Sequence, residues 1–393
     1  MRRNRFLYVL LVLAFLVFSA VYQSRIASVL LIASLCYPLL AALFALIAVL
    51  FAKVEFVKSR EVHQKGEEFE ILLSIRGRSP IPYAPIEIQC NLPDRDTGLF
   101  SIKRVYAAVP PLGKCRISVA AMHRFRGSFI AEINRIWVYD PLRIIRISRR
   151  ISRETTLVFL PRRIDIGGYS AEAHGENSAI PAPLLKGERE EFSHVREYRI
   201  GDIMQLVHWK LTAKQDELMI KQYDEETEQR TLIICDYNFD AASADTAMRK
   251  ADAVIEAAIA FALSAVKSGS GAVVDIGAET PELHWVIKDM PDFERFFDLM
   301  SVLPVRVPVI DFVELAGSIP QSGASTALII TSRLTEEIIA AAETAAESFR
   351  GEVALVWLGL GTHSPLEEQA EGRRFLFFPV RGELDDFSVN DPE

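Results

Sequence analysis

FLYVLLVLAFLVFSAVY, residues 6–22, is a run of sequence without a charged side chain, and a second uncharged run, residues 26–52, follows a gap of three residues. About 20 apolar residues cross the hydrocarbon core of a bilayer. The first run is therefore just long enough to span a membrane, and the second is long enough to span it with tilt. Their close spacing predicts a hairpin of two transmembrane helices over residues 1–53.

Positive charge around these runs predicts their orientation. Lys and Arg flank the pair on both outer sides, at Arg2, Arg3, Arg5, Lys53, Lys58 and Arg60. The loop between the runs holds only Arg25. Because positively charged flanks stay in the cytosol, we expect a cell (inner or plasma) membrane protein with both termini cytoplasmic. The alternative is that residues 1–20 are a cleaved signal peptide.

Charge is distributed unevenly along the remaining sequence. Residues 1–163 contain 25 Lys and Arg against 11 Asp and Glu, whereas residues 164–393 contain 19 against 41. A basic half beside the membrane suits contact with anionic lipid headgroups, so membrane lipid is an expected partner. Two surfaces of differing composition would give the same numbers. The sequence offers no sign of a nucleic-acid partner.

Residues 54–160 show the period-two pattern of β-strands. In FEILLSIR, residues 69–76, apolar and polar side chains alternate. Further short strand candidates follow at roughly ten-residue spacing, separated by Gly and Pro turn signals. This favours an immunoglobulin-like β-sandwich that acts as a spacer or docking surface. The arginine-rich stretch 143–153 is interpreted as a strand with a solvated basic face, or else as a surface that lies on lipid or a partner.

Residues 231–393 alternate short apolar runs with helical patterns. The strand candidates are 231–236, 272–277, 326–331 and 353–358, with 375–380 closing the sheet or lying on its edge. Continuous apolar strands that alternate with helices predict a doubly wound α/β domain with a parallel sheet. Ligands of such sheets bind beyond the carboxyl ends of the strands. The sequence contains neither of the glycine-rich phosphate-binding motifs, so nucleotide binding has no support.

Asp236, Asn238 and Asp240 alternate directly after the first of these strands. Three side-chain oxygens at such spacing could hold a hard cation such as Mg²⁺. The alternative is a polar loop in which Asp240 is the N-cap of the next helix. Arg333, which follows the third strand, would place a positive charge near the cation and so works against the metal site.

Residues 186–226, KGEREEFSHVREYRIGDIMQLVHWKLTAKQDELMIKQYDEE, are dense in charged and aromatic side chains and lack a clean period. This segment closely resembles the signature of the bacterial family called domain of unknown function 58. The matching positions are Arg196, Glu197, Tyr198, Gly201, Asp202, His208, Trp209, Lys210, Ala213, Leu218 and residues 223–226. Arg126-Gly127, Asp140-Pro141-Leu142 and Leu160-Pro161 match upstream, so the resemblance covers nearly the full chain.

The resemblance implies that the distal part is similar to a von Willebrand factor type A domain, with residues 161–230 joining it to the β-sandwich. Such domains usually bind partner proteins, often through a metal-ion-dependent adhesion site. Here the corresponding loop is Asp236-x-Asn238-x-Asp240, and the usual later aspartate is replaced around Ser332. The family also implies a MoxR-type AAA ATPase and other membrane proteins as partners.

The leading interpretation is a membrane-anchored interaction or assembly factor, chaperone-like and not an enzyme, that works with such an ATPase. Arg196 to Lys210 of the signature then form either a docking patch or a polar network that locks the α/β domain to its N-terminal extension. One alternative is a metal-assisted hydrolase that uses Asp202, His208, Asp236 and Asp240. Another is a cell-envelope scaffold, which would require an external soluble part.

Overall fold

A computed structural model describes residues 1–22, 25–77, 86–110, 112–166, 194–197, 212, 219–222, 230–239, 243–277 and 284–380. The chain divides into two compact units, residues 1–160 and 161–393, which we call unit 1 and unit 2. The helix pair and the β-rich region that follows it belong to the same unit.

Two long apolar helices open unit 1, α1 (Arg2–Tyr22) and α2 (Arg25–Phe51). Both are long and apolar enough to cross a membrane. They contact each other through Tyr8, whose hydroxyl donates to the Ser34 carbonyl and whose ring centroid lies 5.8 Å from that of Tyr37. Ser34 and Ala27 are buried and lie seven residues apart, on one face of α2. Small residues on that face let α1 approach closely.

The β-rich part of unit 1 forms two sheets that share one hydrophobic core. Numbered in chain order, the three-stranded sheet has the order β1 (Lys53–Phe56), β3 (Glu68–Arg76) and β6 (Lys114–Met122). The five-stranded sheet has the order β2 (Arg60–Gln64), β8 (Arg146–Leu160), β7 (Gly127–Tyr139), β4 (Ile86–Pro93) and β5 (Phe100–Ala107). Ile71, Leu73 and Ile75 of β3 are buried, as the period-two pattern predicts. The arginine-rich stretch is the start of a strand, β8.

The C-terminal half of α2 is part of this core. Ala48, Val49 and Ala52 are buried in the same cluster as Ile133 and Ile136 of β7. One side of α2 therefore packs on the strands, whereas Leu43, Leu46 and Leu50 on its other sides stay exposed. The sequence gives no sign of this division, since both faces are apolar.

Arg149 of β8 fixes the end of α2. Its guanidinium donates from Nη1 to the Leu50 carbonyl and from Nη2 to the Ala52 carbonyl, each over 2.8 Å. The last carbonyls of a helix lack partners within the helix and carry partial negative charge. The Arg149 guanidinium supplies hydrogen-bond donors to two of these carbonyls and a positive charge beside their partial negative charge. The Arg149 side chain therefore binds the end of α2 to β8.

The turn between β7 and β8 is tied to both helices. The Asn4 and Arg5 side chains donate to the Leu142 and Ile144 carbonyls, each over 2.9 Å. The Tyr37 hydroxyl donates to Asp140 Oδ2 over 2.9 Å. Asp140 itself is fully buried and also accepts from the backbone N–H groups of Leu142 and Ile145. The Asp140-Pro141-Leu142 motif is thus a structural anchor for the hairpin.

Unit 2 contains a six-stranded sheet and a separate two-stranded one. The large sheet has the order β13 (His284–Ile287), β12 (Ala272–Asp275), β11 (Thr231–Cys235), β14 (Thr326–Thr331), β15 (Glu352–Leu358) and β16 (Leu376–Val380). All pairings are parallel except that of β12 with β13. β16 lies at the sheet edge, which was one of the two positions expected for residues 375–380. The antiparallel strand β13 was not expected.

Helices accompany this sheet: α3 (Ala244–Lys267), α4 (Met290–Val302), α5 (Phe312–Gly317), a 3₁₀ turn (Ile319–Gln321), α6 (Glu336–Ser348) and α7 (Glu367–Ala370). Every residue of β11 is buried, so both of its faces are covered. Ser243 is the N-cap of α3 and its side chain accepts from the Thr246 N–H. Ser243 rather than Asp240 is the N-cap, so the alternative that made Asp240 this N-cap is wrong.

Replacing Arg149 with Ala tests the join between α2 and the sheet. We expect a loss of about 1–2 kcal/mol in the stability of unit 1, because two carbonyls at the end of α2 lose their donor.

The measurement uses Cys90, which is fully buried in unit 1 and whose pKa burial raises to about 12. Its reactivity toward a thiol reagent, in a chain whose other cysteines are replaced, therefore reports unfolding of this unit. Arg153→Ala, at an exposed position of the same strand, should leave that reactivity unchanged.

His123 makes the stability of unit 1 dependent on pH. It is 2% exposed and packs against Phe100, Phe129 and Phe159, with ring centroids 4.3–5.3 Å from its own. Burial lowers its pKa from 6.5 to about 4 and outweighs the opposing effect of the Gly98 backbone. Between pH 6.5 and about 4, His123 binds a proton in the unfolded chain but stays neutral in the folded chain. Stability is therefore lost as the pH falls from about 6.5 to about 4.

The expected loss over this range is up to about 3 kcal/mol, since one pKa unit corresponds to about 1.4 kcal/mol. Urea unfolding followed by circular dichroism at several pH values measures it. The variant His123→Phe should show a shallower pH dependence than the wild type, because the ring stays apolar while the titrating group is gone. Equal slopes for the two proteins would contradict the assignment.

Candidate functional site

The carboxyl ends of β11 and β14 form the candidate site of unit 2. These two strands pair in parallel, and the order of strands along the sheet reverses direction between them. In open α/β sheets ligands bind at this reversal, beyond the carboxyl ends of the strands. Asp236 follows β11 here, and Thr331 ends β14 beside it. The sequence predicted Asp236, whereas the contribution of Thr331 was missed.

Asp236 is held by a buried set of hydrogen bonds. Its side chain is 1% exposed. Arg333 donates from Nε to Oδ2 over 3.0 Å and from Nη2 to Oδ1 over 2.8 Å. The Thr331 hydroxyl also donates to Oδ2 over 2.7 Å. Two parallel hydrogen bonds are the strongest geometry that a guanidinium and a carboxylate adopt. The Arg333 charge therefore balances that of Asp236, and the orientation of the carboxylate is fixed.

Backbone geometry explains why the strand ends assemble in this way. The Asn238 N–H lies 3.4 Å from Asp236 Oδ1, as in the turns that aspartate favours. The Arg333 N–H donates to Thr331 Oγ1 over 3.0 Å. Tyr237 is buried and its hydroxyl donates to the Pro304 carbonyl. These hydrogen bonds hold the two loops in the conformation that brings the Arg333 guanidinium onto the Asp236 carboxylate.

The magnesium site predicted at Asp236, Asn238 and Asp240 stays a prediction. Asp240 lies outside the described residues. Among those that the structure does describe, no three His, Cys, Asp or Glu residues lie close enough together to hold a metal ion. Arg333 supplies positive charge at the Asp236 carboxylate, as its position after the third strand suggested. A cation that used both Asp236 oxygens would have to displace the guanidinium.

The signature residues fall mostly outside the described part of the chain. Arg196 and Glu197 lie in β9 (His194–Glu197), which pairs with antiparallel β10 (Met219–Gln222). In this ladder Arg196 is opposite Ile220. The remaining signature positions lie outside the described residues, namely Tyr198, Gly201, Asp202, His208, Trp209, Lys210, Ala213, Leu218 and residues 223–226. The distance from Asp236 to Asp202 or His208, on which the hydrolase alternative depends, is therefore not defined.

A family model covers this region of unit 2. Residues 194–284 match the family described as "Protein of unknown function DUF58". Over these residues, the family expected from the signature is confirmed. The match begins at the first residue of β9 and includes β10, β11 and Asp236. The matched segment therefore contains most of the signature as well as Asp236 of the candidate site. It spans a smaller part of the chain than the resemblance expected from the sequence.

No curated protein sequence matches the chain significantly. Among solved structures, the CARDB domain of the PF1109 protein from Pyrococcus furiosus is 11% identical, with a TM-score of 0.21, over 28% of this chain and 91% of that one. Toxic shock syndrome toxin-1 is 10% identical, with a TM-score of 0.18, over 28% and 99%. A beta-glucosidase from Listeria innocua is 9% identical, with a TM-score of 0.17, over 27% and 16%. Similarity this low carries no inference about function.

Replacing Arg333 with Met tests the pairing at the candidate site. The variant leaves the buried Asp236 charge without its partner, so we expect unit 2 to lose about 3–5 kcal/mol. Adding Asp236→Asn should recover part of this loss, because the uncompensated charge is gone. Cys235 is fully buried beside the site, and its thiol reactivity under urea reports unfolding of this unit. Arg374→Met, at a side chain that is 70% exposed, is the matched control.

Proposed function

We propose that this chain is a membrane-anchored protein-interaction or assembly factor, with α1 and α2 in the membrane and unit 2 in the cytosol. The observation that carries the proposal is the join between α2 and the β-rich region. Arg149 binds the last carbonyls of α2, and Ala48, Val49 and Ala52 pack in the sheet core. If α2 spans a membrane, a β-rich region bound to it in this way is held next to that membrane.

The order of strands in unit 2 supports a von Willebrand factor type A-like interaction domain. Counted in chain order within the six-stranded sheet, the strands run 3-2-1-4-5-6, with the third one antiparallel. In the adhesion sites of such domains a cation lies beyond the first strand, whereas here Arg333 neutralises Asp236 directly. We propose that this end of the sheet recognises a partner protein with the Asp236–Arg333 pair in the place of a divalent cation.

The proposed partner is a MoxR-type AAA ATPase, which the family resemblance implies. A cytosolic ATPase could reach unit 2 if the positively charged flanks keep both termini inside. The hydrolase alternative needs Asp202, His208, Asp236 and Asp240 in one cleft. Asp236 is the one member of this set that the structure describes, and both of its oxygens are paired with Arg333. An interaction role is therefore the function that the geometry supports best.

Binding between the purified full-length chain in detergent and a purified MoxR-type ATPase tests this proposal. We expect the two to elute together in size-exclusion chromatography. Replacing Arg196 and Lys210 of the signature with Ala should weaken binding about tenfold or more if these charges contact the ATPase. Arg295→Ala and Arg350→Ala remove the same charge at exposed positions elsewhere and should bind as the wild type does.

Repeated failure of the wild-type chain to bind any MoxR-type ATPase would count heavily against the partnership. A reporter fused after Glu393 tests the orientation separately. A signal from outside the cell would overturn the cytosolic placement and favour the cell-envelope scaffold instead.

A further inference from the structure

A row of arginines crosses the outer face of the five-stranded sheet in unit 1. The register of β5, β4, β7 and β8 places Arg104, Gln89, Arg135 and Arg150 side by side across four adjacent strands. Neighbouring strands lie about 4.8 Å apart, so three positive charges lie within about 15 Å of one another. Arg135 and Arg150 are directly opposite, an arrangement that destabilises a sheet unless the charges are neutralised.

Trp137 lies in the next row toward the turn between β7 and β8. The guanidinium carbons of Arg104, Arg135 and Arg146 lie 6.0, 5.7 and 5.7 Å from the centroid of its ring. Cation–π contacts of this kind favour guanidinium groups near an aromatic face. Trp137 is 8% exposed, so its ring lies beneath the guanidinium groups that contact it. We call Trp137, Arg104, Arg135, Arg146 and Arg150 the Trp137 face.

The described carboxylates do not balance this charge. Glu87 lies beneath the face, 1% exposed, with its Oε1 3.4 Å from Arg104 Nη1, and it also accepts from the Tyr139 hydroxyl. Glu132 and Glu154 are opposite each other in the row on the far side, away from the turn. The face thus carries four guanidinium groups, of which Arg104 lies beside the buried Glu87 carboxylate, and the positive charge is concentrated toward the turn.

The contacts of unit 1 show what lies at that end of the sheet. The turn is bound to the start of α1 through Asn4 and Arg5. Arg149, the neighbour of Arg150 in β8, binds the final carbonyls of α2. If α1 spans a bilayer from its first residues, the Trp137 face therefore begins beside the headgroups at that surface.

We propose that the Trp137 face binds the phosphate groups of anionic phospholipids in the membrane that holds α1 and α2; this rests on the membrane anchoring proposed above. Arginine presents a planar fork of donors that matches phosphate. Tryptophan favours the level of the headgroups. The cost of placing like charges side by side is relieved when anionic headgroups lie between them, so the lipid orients the β-rich region on the membrane.

Binding of a soluble short-chain phosphatidylglycerol to the full-length chain in a zwitterionic detergent tests the proposal. Thermophoresis measures the affinity, with short-chain phosphatidylcholine as the uncharged comparison. Each arginine near a membrane surface contributes about 1 kcal/mol. We therefore expect Arg104→Gln, Arg135→Gln and Arg150→Gln together to weaken phosphatidylglycerol binding up to about 100-fold, while binding of phosphatidylcholine stays unchanged.

Two further variants guard against a folding defect. Replacing the same three arginines with Lys keeps the charge and should retain most of the preference for phosphatidylglycerol. Gln89→Glu adds a carboxylate to the centre of the row and should weaken binding by itself. The matched control replaces three exposed arginines of unit 2, Arg295, Arg350 and Arg374, with Gln and should bind as the wild type does.

Equal affinity of the wild type for the two lipids, or an unchanged preference in the Gln variant, would overturn the proposal. A polyglutamate peptide that binds the face while phosphatidylglycerol fails to compete would assign it to an acidic protein partner instead. Lipid binding is measured in detergent and without an ATPase, so it can fail while ATPase binding succeeds. A chain recovered in the soluble fraction of cells would instead remove the membrane anchoring itself.

Discussion

Two hydrogen bonds from the Arg149 guanidinium to the last carbonyls of α2 are the contact on which the arrangement of unit 1 depends. A helix end with unsatisfied carbonyls is normally left to water. Here a strand supplies the donor, so the helix ends inside the β-rich region. The buried Ala48, Val49 and Ala52 complete the join from the apolar side. The tie at the β7–β8 turn gives the sheet a second point of attachment to the helices.

The same principle of internal charge neutralisation recurs in unit 2. Asp236 lies where the direction of strand order reverses, the position at which an α/β sheet offers a ligand its binding crevice. A buried carboxylate without a partner is costly, so it needs a cation or donors. The chain supplies Arg333 and Thr331. The Trp137 face presents the opposite case, because arginines outnumber the carboxylates around them and an external anion completes the balance.

Much of the fold follows from local pattern. The length of the uncharged runs predicts α1 and α2, and the alternation of apolar and polar residues predicts β3, because these signals depend on neighbouring residues alone. The site was predicted only in part. Asp236 stood out by its place after an apolar strand, and Arg333 by its charge. Thr331 carried no signal of its own, since a threonine at a strand end is ordinary until the partner strand is known.

The sequence by itself determined the two apolar helices, the change from β-rich to α/β organisation and the DUF58 signature. The tertiary structure decided which side of α2 packs on strands, which arginine binds its end, and that Arg104, Arg135 and Arg150 form one row. The reason is that composition and hydrophobic period indicate only the secondary structure that each segment prefers. Register and strand order bring together residues that are distant in the sequence, such as Arg149 and Leu50, 99 positions apart, and no local preference specifies which ones will meet.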